Sequence, residues 1–193
     1  ITNRNISKLT VCFEGDKNYH FIENYGVDIV DIDTKNLKTT PFEDVGWSRS
    51  VAATAQYIYE MNIPNDELIY ILEDDYIHRL NWDVYALNAF SNLLSENNYL
   101  CLYDHADKYI FVNPDAKDHW GMYKDLKSRI ITDGYIHWRS VPNCGMSMVM
   151  PSLTFRRDFE FWSRGLSDCE LCHQVSLKHG TVFWTPIPSL SKH

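Results

Sequence analysis

Apolar residues fall into short runs along the chain, and the period of each run assigns it to a strand or a helix. The clearest run is Leu68-Ile69-Tyr70-Ile71-Leu72, which has no alternation and stops at Glu73-Asp74-Asp75. Such a run predicts a strand buried on both faces, the usual state of a central parallel strand. Residues 9–13 read as an earlier strand, 17–25 as a short helix closed by Gly26, and 27–33 as a strand. Apolar and acidic residues alternate in that last strand, which places it nearer an edge. A helix is predicted over about 48–61, with Val51, Ala52, Ala55, Ile58 and Tyr59 on one face and Asn62 and Pro64 ending it. The most regular helix carries Trp82, Tyr85, Ala86, Ala89, Phe90, Leu93 and Leu94 at three- and four-residue steps. Residues 99–103, 147–150 and 181–184 read as further strands, and 155–162 as a helix. Ser167-Asp168-Cys169-Glu170 has the capping-box pattern and opens a helix that Gly180 closes. In that pattern Glu170 turns back to cap the backbone of residue 167. From 108 to about 140 the periodicity breaks down in a stretch rich in Trp, Tyr, His and Asp, which reads as an irregular insertion with short strands. After Pro186-Ile187-Pro188 a polar tail runs to His193.

Strands and helices alternate through the first half, which predicts right-handed crossovers. The expected fold class is α/β, a Rossmann-like mixed and mostly parallel central sheet flanked by helices. The 193 residues suit one domain spanning 1–193, and a hydrophobic fraction of 45% is enough for a core. The formal net charge of −8, with no basic cluster, argues against a nucleic-acid or anionic-membrane surface. No apolar run approaches a membrane span, and no signal-like segment opens the chain. The 5 cysteines are odd in number and scattered, in segments such as Val11-Cys12-Phe13 and Leu100-Cys101-Leu102. That pattern suits reduced, buried thiols and a cytoplasmic location rather than a disulfide framework.

The chemistry gathers at strand ends. In open α/β sheets ligands bind at the carboxyl ends of the strands. Three consecutive carboxylates there repel one another unless a cation sits among them. Glu73 and Asp75, two apart, point to the same side of an extended chain and can chelate a hard divalent ion such as magnesium or manganese. The plainer alternative is a solvated acidic strand end. Cys169-Glu170-Leu171-Cys172-His173 matches the c-type haem attachment pattern. It lies inside a predicted helix of an α/β chain, however, and a zinc site lacks a second ligand pair. Cys172 is therefore expected in the core beside Leu171 and Val175. Trp120, Tyr123, Tyr135, His137 and Trp138 form either an aromatic platform for a sugar or a satellite hydrophobic cluster. Asp104 and His105 either border a donor sugar or form a polar turn.

The order of these parts resembles the GT-A class of nucleotide-sugar glycosyltransferases, in particular the inverting family 2. Phe13-Glu14-Gly15-Asp16 looks like that family's strand ending in a base-reading Asp. Gly46-Trp47-Ser48-Arg49-Ser50 looks like its small-residue and Arg helix start. Glu73-Asp74-Asp75 is similar to its Asp-x-Asp metal motif in a Glu-x-Asp form, and Ser167-Asp168 to its Glu-Asp motif with the Glu replaced. The resemblance covers about 9–180, and it extends to the small glycosyltransferase domains of large algal viruses that build capsid glycans, which would place the chain in the host cytoplasm. Thr2-Asn3-Arg4 looks like the close of the family's first strand, so the body of that strand and its helix are expected to be absent or truncated.

The resemblance implies transfer of a sugar from a nucleoside diphosphate sugar, UDP-sugar favoured, to a hydroxyl on a glycan or glycoprotein. It implies Asp75 and Glu73 as metal ligands for manganese or magnesium, with His193 added if the tail folds back. Asp16, Glu14, Arg49, Asp74 and Arg4 would contact the nucleotide, and 108–140 would lie on the acceptor side. Asp168, in the first turn of its helix where the dipole favours a carboxylate, would be the base of an inverting transfer. A nucleotidyltransferase is the rival enzyme class, but it needs a Gly-rich basic phosphate loop that the N-terminal residues lack. The non-enzyme rival is an inactive sugar- or nucleotide-binding domain.

Overall fold

The computed structural model describes residues 6–13, 27–32, 46–109 and 127–193. The expected helix at 17–25 lies outside them. Strands β1 (Thr10–Phe13) and β2 (Asp28–Asp31) pair in parallel, in register from Thr10 against Asp28 to Phe13 against Asp31. Helix α1 (Gly46–Glu60) follows, then β3 (Leu68–Leu72), β4 (Ile77–His78), α2 (Trp82–Asn92) and β5 (Asn98–Cys101). The second half holds β6 (Ile130–Thr132), β7 (His137–Val141), β8 (Ser147–Pro151), α3 (Ser152–Trp162), α4 (Asp168–His179), β9 (Val182–Ile187) and β10 (Ser191–Lys192).

The main sheet is six-stranded, in the order β3-β8-β5-β9-β7-β6. Among the described residues of this sheet only β5 and β9 run parallel; β3–β8, β8–β5, β9–β7 and β7–β6 are all antiparallel. The expectation of a mostly parallel sheet is thus corrected to a mixed, mostly antiparallel one. The physical reason lies in β8. It returns from the second half of the chain, runs against both β3 and β5, and separates two strands that a simple crossover would have placed side by side. Nor is β3 central: it stands at one end of the six-strand order. Its unbroken apolar run is explained by helices on both faces, which bury either side of a strand whatever its direction.

Side chains sort between the faces with a period of two. Ile69 and Ile71 of β3, Tyr99 and Cys101 of β5, Met148 and Met150 of β8 and Phe183 of β9 enter one core with Ala55 of α1, Phe155 and Trp162 of α3 and Val175 of α4. Their alternates Leu100, Val149 and Trp184 enter the other, with Ala86 and Ala89 of α2, and Leu68 and Tyr70 pack against it. Three helices therefore cover one face and α2 covers the other.

Residues 127–140, the described part of the expected insertion, do hold short strands, though these pair regularly. They contain the β6–β7 hairpin and supply two strands of the main sheet. Trp138 is completely buried in the core, whereas Tyr135 is 78% exposed, so these two rings share no platform. Trp120 and Tyr123 lie outside the described residues. Cys172 is buried with Leu171 and Val175, as its spacing implied, while Cys169 is exposed on the same helix. Among the described residues no helix is long and apolar enough to cross a membrane.

Candidate functional site at the end of beta strand 3

Strand β3 ends at Leu72, and the Glu73 N–H donates to the Met146 carbonyl at 3.1 Å, which holds the start of the turn against the chain entering β8. Glu73, Asp74 and Asp75 then project into solvent before Tyr76 turns back into the protein, only 9% exposed.

The 189–193 segment folds over this turn. Strand β10 pairs antiparallel with β4, Ser191 against His78 and Lys192 against Ile77. The Leu190 and Ser191 N–H groups both donate to the Leu102 carbonyl, at 2.9 and 3.0 Å, and the Arg79 N–H donates to Leu190 at 2.9 Å. Leu190 is fully buried, and a side chain of that size contributes about 1.5–3 kcal/mol when withdrawn from water. The consequence is geometric: His193 Nε2 lies 2.8 Å from Asp75 Oδ2. Its ring packs 5.0 Å from that of Tyr76 and 6.1 Å from that of Tyr103. The tail therefore does return to the acidic turn, and it brings together two residues 118 positions apart.

Asp168 approaches from another direction. Ser167 caps α4, accepting from the Glu170 N–H at 3.2 Å, and Asp168 occupies the first turn with its Oδ1 accepting from the Cys169 N–H at 2.7 Å. The capping box is only half formed. Glu170 does not reach back to residue 167; its carboxylate accepts from Gln174 Nε2 at 2.6 Å, one helical turn along. Burial first, then the charges of Asp75 and Asp168, with Asp74 last, push the Glu73 carboxyl above its ordinary range, against the opposing charge of His193. Glu73, Asp75, Asp168 and His193 thus share one electrostatic neighbourhood, built from three separate stretches of chain. Burial also raises the Tyr76 phenol, and the charges of Glu73, Asp75 and Asp168 push the same way.

Beneath the turn the packing is tight. A methyl group built on Gly145 would come 2.6 Å from His105 Nε2 and 2.9 Å from the Tyr76 hydroxyl. His105 Nε2 is buried and has no hydrogen-bond partner among the described residues. Its neighbour Asp104 is a structural acid. Arg139 Nη2 donates to Asp104 Oδ1 at 2.6 Å with both side chains 9% exposed, and the Tyr109 hydroxyl donates to the other carboxylate oxygen.

The remaining sequence candidates fare differently. Arg49 is half-buried in the first turn of α1. Asp74 is exposed between the two candidate ligands. Arg4, Glu14 and Asp16 lie outside the described residues. His105, which the sequence offers as a border of the donor sugar or part of a polar turn, does lie beneath the acidic turn, whereas Tyr76, Tyr103 and Gly145 carry no sequence signal as neighbours of the site.

A divalent ion is compatible with this donor set. Carboxylates and one imidazole suit manganese, and carboxylates alone suit magnesium. Among the described residues no three His, Cys, Asp or Glu side chains are already set as a metal cage. Magnesium-type sites commonly take only one or two protein ligands, with substrate phosphates and water completing the shell, and Asp75 with His193, or with Glu73, meets that requirement. No family model, no curated protein and no solved structure matches this chain.

Proposed function

We propose that the protein is a metal-assisted glycosyltransferase that moves a sugar from a nucleoside diphosphate sugar, UDP-sugar favoured, to a hydroxyl of a glycan or glycoprotein acceptor. The observation that carries this reading is the convergence of Glu73, Asp75 and His193 with Asp168 at one end of the protein. Carboxylates gathered from distant segments raise one another's proton affinity, and a fold tolerates this where a cation relieves it.

Asp75 and His193, with Glu73 beside them, would hold manganese or magnesium. When bound, the ion supplies positive charge to the departing diphosphate. The protein's own residues do the rest. Asp168 removes the proton from the acceptor hydroxyl as that oxygen forms its bond to the anomeric carbon, opposite the breaking carbon–oxygen bond to the diphosphate. The amide of Cys169 orients the carboxylate by its bond to Oδ1, which leaves Oδ2 for the acceptor. The rings of Tyr76 and Tyr103 beside His193 limit water near the leaving group.

Titration calorimetry with UDP-glucose, with and without manganese, tests the reading. Metal-dependent binding that is lost in Asp75→Asn supports it. Asp168→Asn is expected to keep donor binding and lose at least a hundredfold in turnover, the usual scale for removing a general base. Wild-type turnover in that variant would remove Asp168 from the mechanism, and indifference to nucleotide sugar would remove the transferase.

A further inference from the structure

A second concavity adjoins the acidic turn through Tyr103. It measures about 470 Å³ and is lined by Ile77, His78, Arg79, Tyr103, Ser191 and Lys192, with Ser189 at its edge. That volume lies within the roughly 300–1,000 Å³ of small-molecule sites.

Its charge runs against that of the molecule. The chain has 26 acidic residues against 18 Lys and Arg, yet among the described residues no acid lines this cavity and two cations do. Neither Arg79 nor Lys192 makes an ion pair among the described residues. His78 adds no charge at neutral pH: burial lowers its pKa, and its Nε2 lies 2.6 Å from the Tyr70 hydroxyl. The two cations are therefore presented to whatever enters.

The hydroxyl of Ser191 does not open into the cavity. Ser191 is 4% exposed, and its hydroxyl has no hydrogen-bond partner among the described residues. With no accessible surface, it lies behind the wall and out of reach of whatever enters. The neighbouring Ser189 hydroxyl is already engaged, accepting from the Asp104 N–H at 2.7 Å. The remaining surface is apolar. Ile77 is 75% exposed, and the Tyr103 ring stands beside His193.

We propose that this cavity is the acceptor subsite and takes a hexose ring that carries an acidic group, a carboxylate or a phosphate. The ring's carbon–hydrogen face lies on Tyr103 and Ile77, as sugar faces do on flat apolar side chains. Arg79 and Lys192 hold the anion, Arg79 in the forked geometry that carboxylates and phosphates share. The word acceptor rests on the transferase reading; the binding does not.

The test is calorimetry on the whole chain without nucleotide, using glucuronate, glucose 6-phosphate, glucose and inorganic sulfate. One of the two acidic hexoses is expected to bind at least tenfold more tightly than glucose and than sulfate, and which one does so identifies the anion. Its affinity falls as salt is raised, and Arg79→Ala and Lys192→Ala each weaken it at least fivefold while circular dichroism stays unchanged. Binding of glucose equal to that of the acidic sugars overturns the proposal. So does binding of sulfate at equal strength, which marks a bare ion site, or affinity untouched by both substitutions. If one of the two variants fails to fold, the other together with the salt dependence decides. An acidic hexose that binds as expected but receives no sugar from UDP-glucose and manganese upholds the cavity and overturns its acceptor role, which separates the two failures.

Discussion

Two acidic centres in this protein are built on opposite terms. Asp158, on α3, is completely buried and fully partnered. It accepts from the Tyr99 hydroxyl at 2.8 Å and from Arg157 through Nε at 2.7 Å and Nη2 at 2.6 Å, and His179 Nε2 stands 3.5 Å away. Arg157 also bonds Asn97 and, at 2.9 Å, Thr181, and Trp162 donates to the Tyr99 oxygen at 3.2 Å. Burial, and then the charge of Asp158, push the Tyr99 phenol well above its ordinary value, so it stays a donor. One carboxylate thus ties α3 to the starts of β5 and β9 and to the end of α4. The Glu73–Asp75 turn holds three carboxylates in a row with one imidazole against them. A buried acid is tolerated only when saturated. An exposed cluster can stay unsaturated, and its residual repulsion is what a cation would relieve.

That contrast can be broken most forcefully at Asp158. Asp158→Ala removes the carboxylate that the fully buried Tyr99 hydroxyl and the partly exposed Arg157 share, and is expected to cost about 3–5 kcal/mol in urea unfolding. A loss below about 1 kcal/mol would show that the two centres do not differ in kind. Next comes the packing under the exposed turn. Gly145→Ala forces a methyl group against His105 and Tyr76 and is expected to cost about 1–3 kcal/mol, the usual range for overpacking, with a matching drop in Tm. Asp75→Asn should be milder still. Its contact with His193 is exposed, 58% and 50% on the two sides, so solvent screening holds its worth to about 1 kcal/mol or less. The same variant is expected to lose at least tenfold in manganese-dependent affinity for UDP-glucose, a dissociation of function from stability that Asp158 cannot show.

The smallest effect belongs to Glu73→Gln, and it is a matter of pH. Burial and the neighbouring carboxylates raise the folded-state pKa of Glu73 above the ordinary 4.5, so the folded protein holds that proton more tightly than the unfolded chain. Stability from this source is complete below pH 4.5 and declines as pH rises through the raised value. Glu73→Gln should therefore match the wild type in acid and exceed it near neutrality, by less than about 1 kcal/mol after screening. Saturating manganese should abolish that advantage. A variant less stable than wild type at pH 7 would mean that Glu73 is satisfied, like Asp158.

Local features were legible in the residues and long-range partners were not. The apolar spacing of α2, the cap and Gly180 terminus of α4 and the acids beyond β3 all depend on neighbours within a few positions. Strand direction does not. Ile69 and Ile71 announce a buried face but carry no record that Met150 and Met148 run antiparallel beside them. The β6–β7 hairpin reads as irregular because its stretch is rich in Trp, Tyr, His and Asp and shows no clean period, and Arg139 adds a cation at a buried position. Its charge is met by Asp104, 35 residues earlier, so the polarity that hid the strand is cancelled only in three dimensions. Strands β4 and β10 each contain 2 residues, too few to show any period, and with them went the means to foresee how His193 reaches Asp75.

The β4–β10 ribbon has a practical consequence for anyone handling the molecule. Whatever follows His193 in the chain leaves the fold within contact range of Asp75, because the last pairing, Lys192 against Ile77, lies one residue before it. A polyhistidine purification tag fused there would deliver further imidazoles to the same carboxylates and compete for any cation added in an assay. Metal titrations are best performed on protein tagged at the opposite end, or with the tag removed.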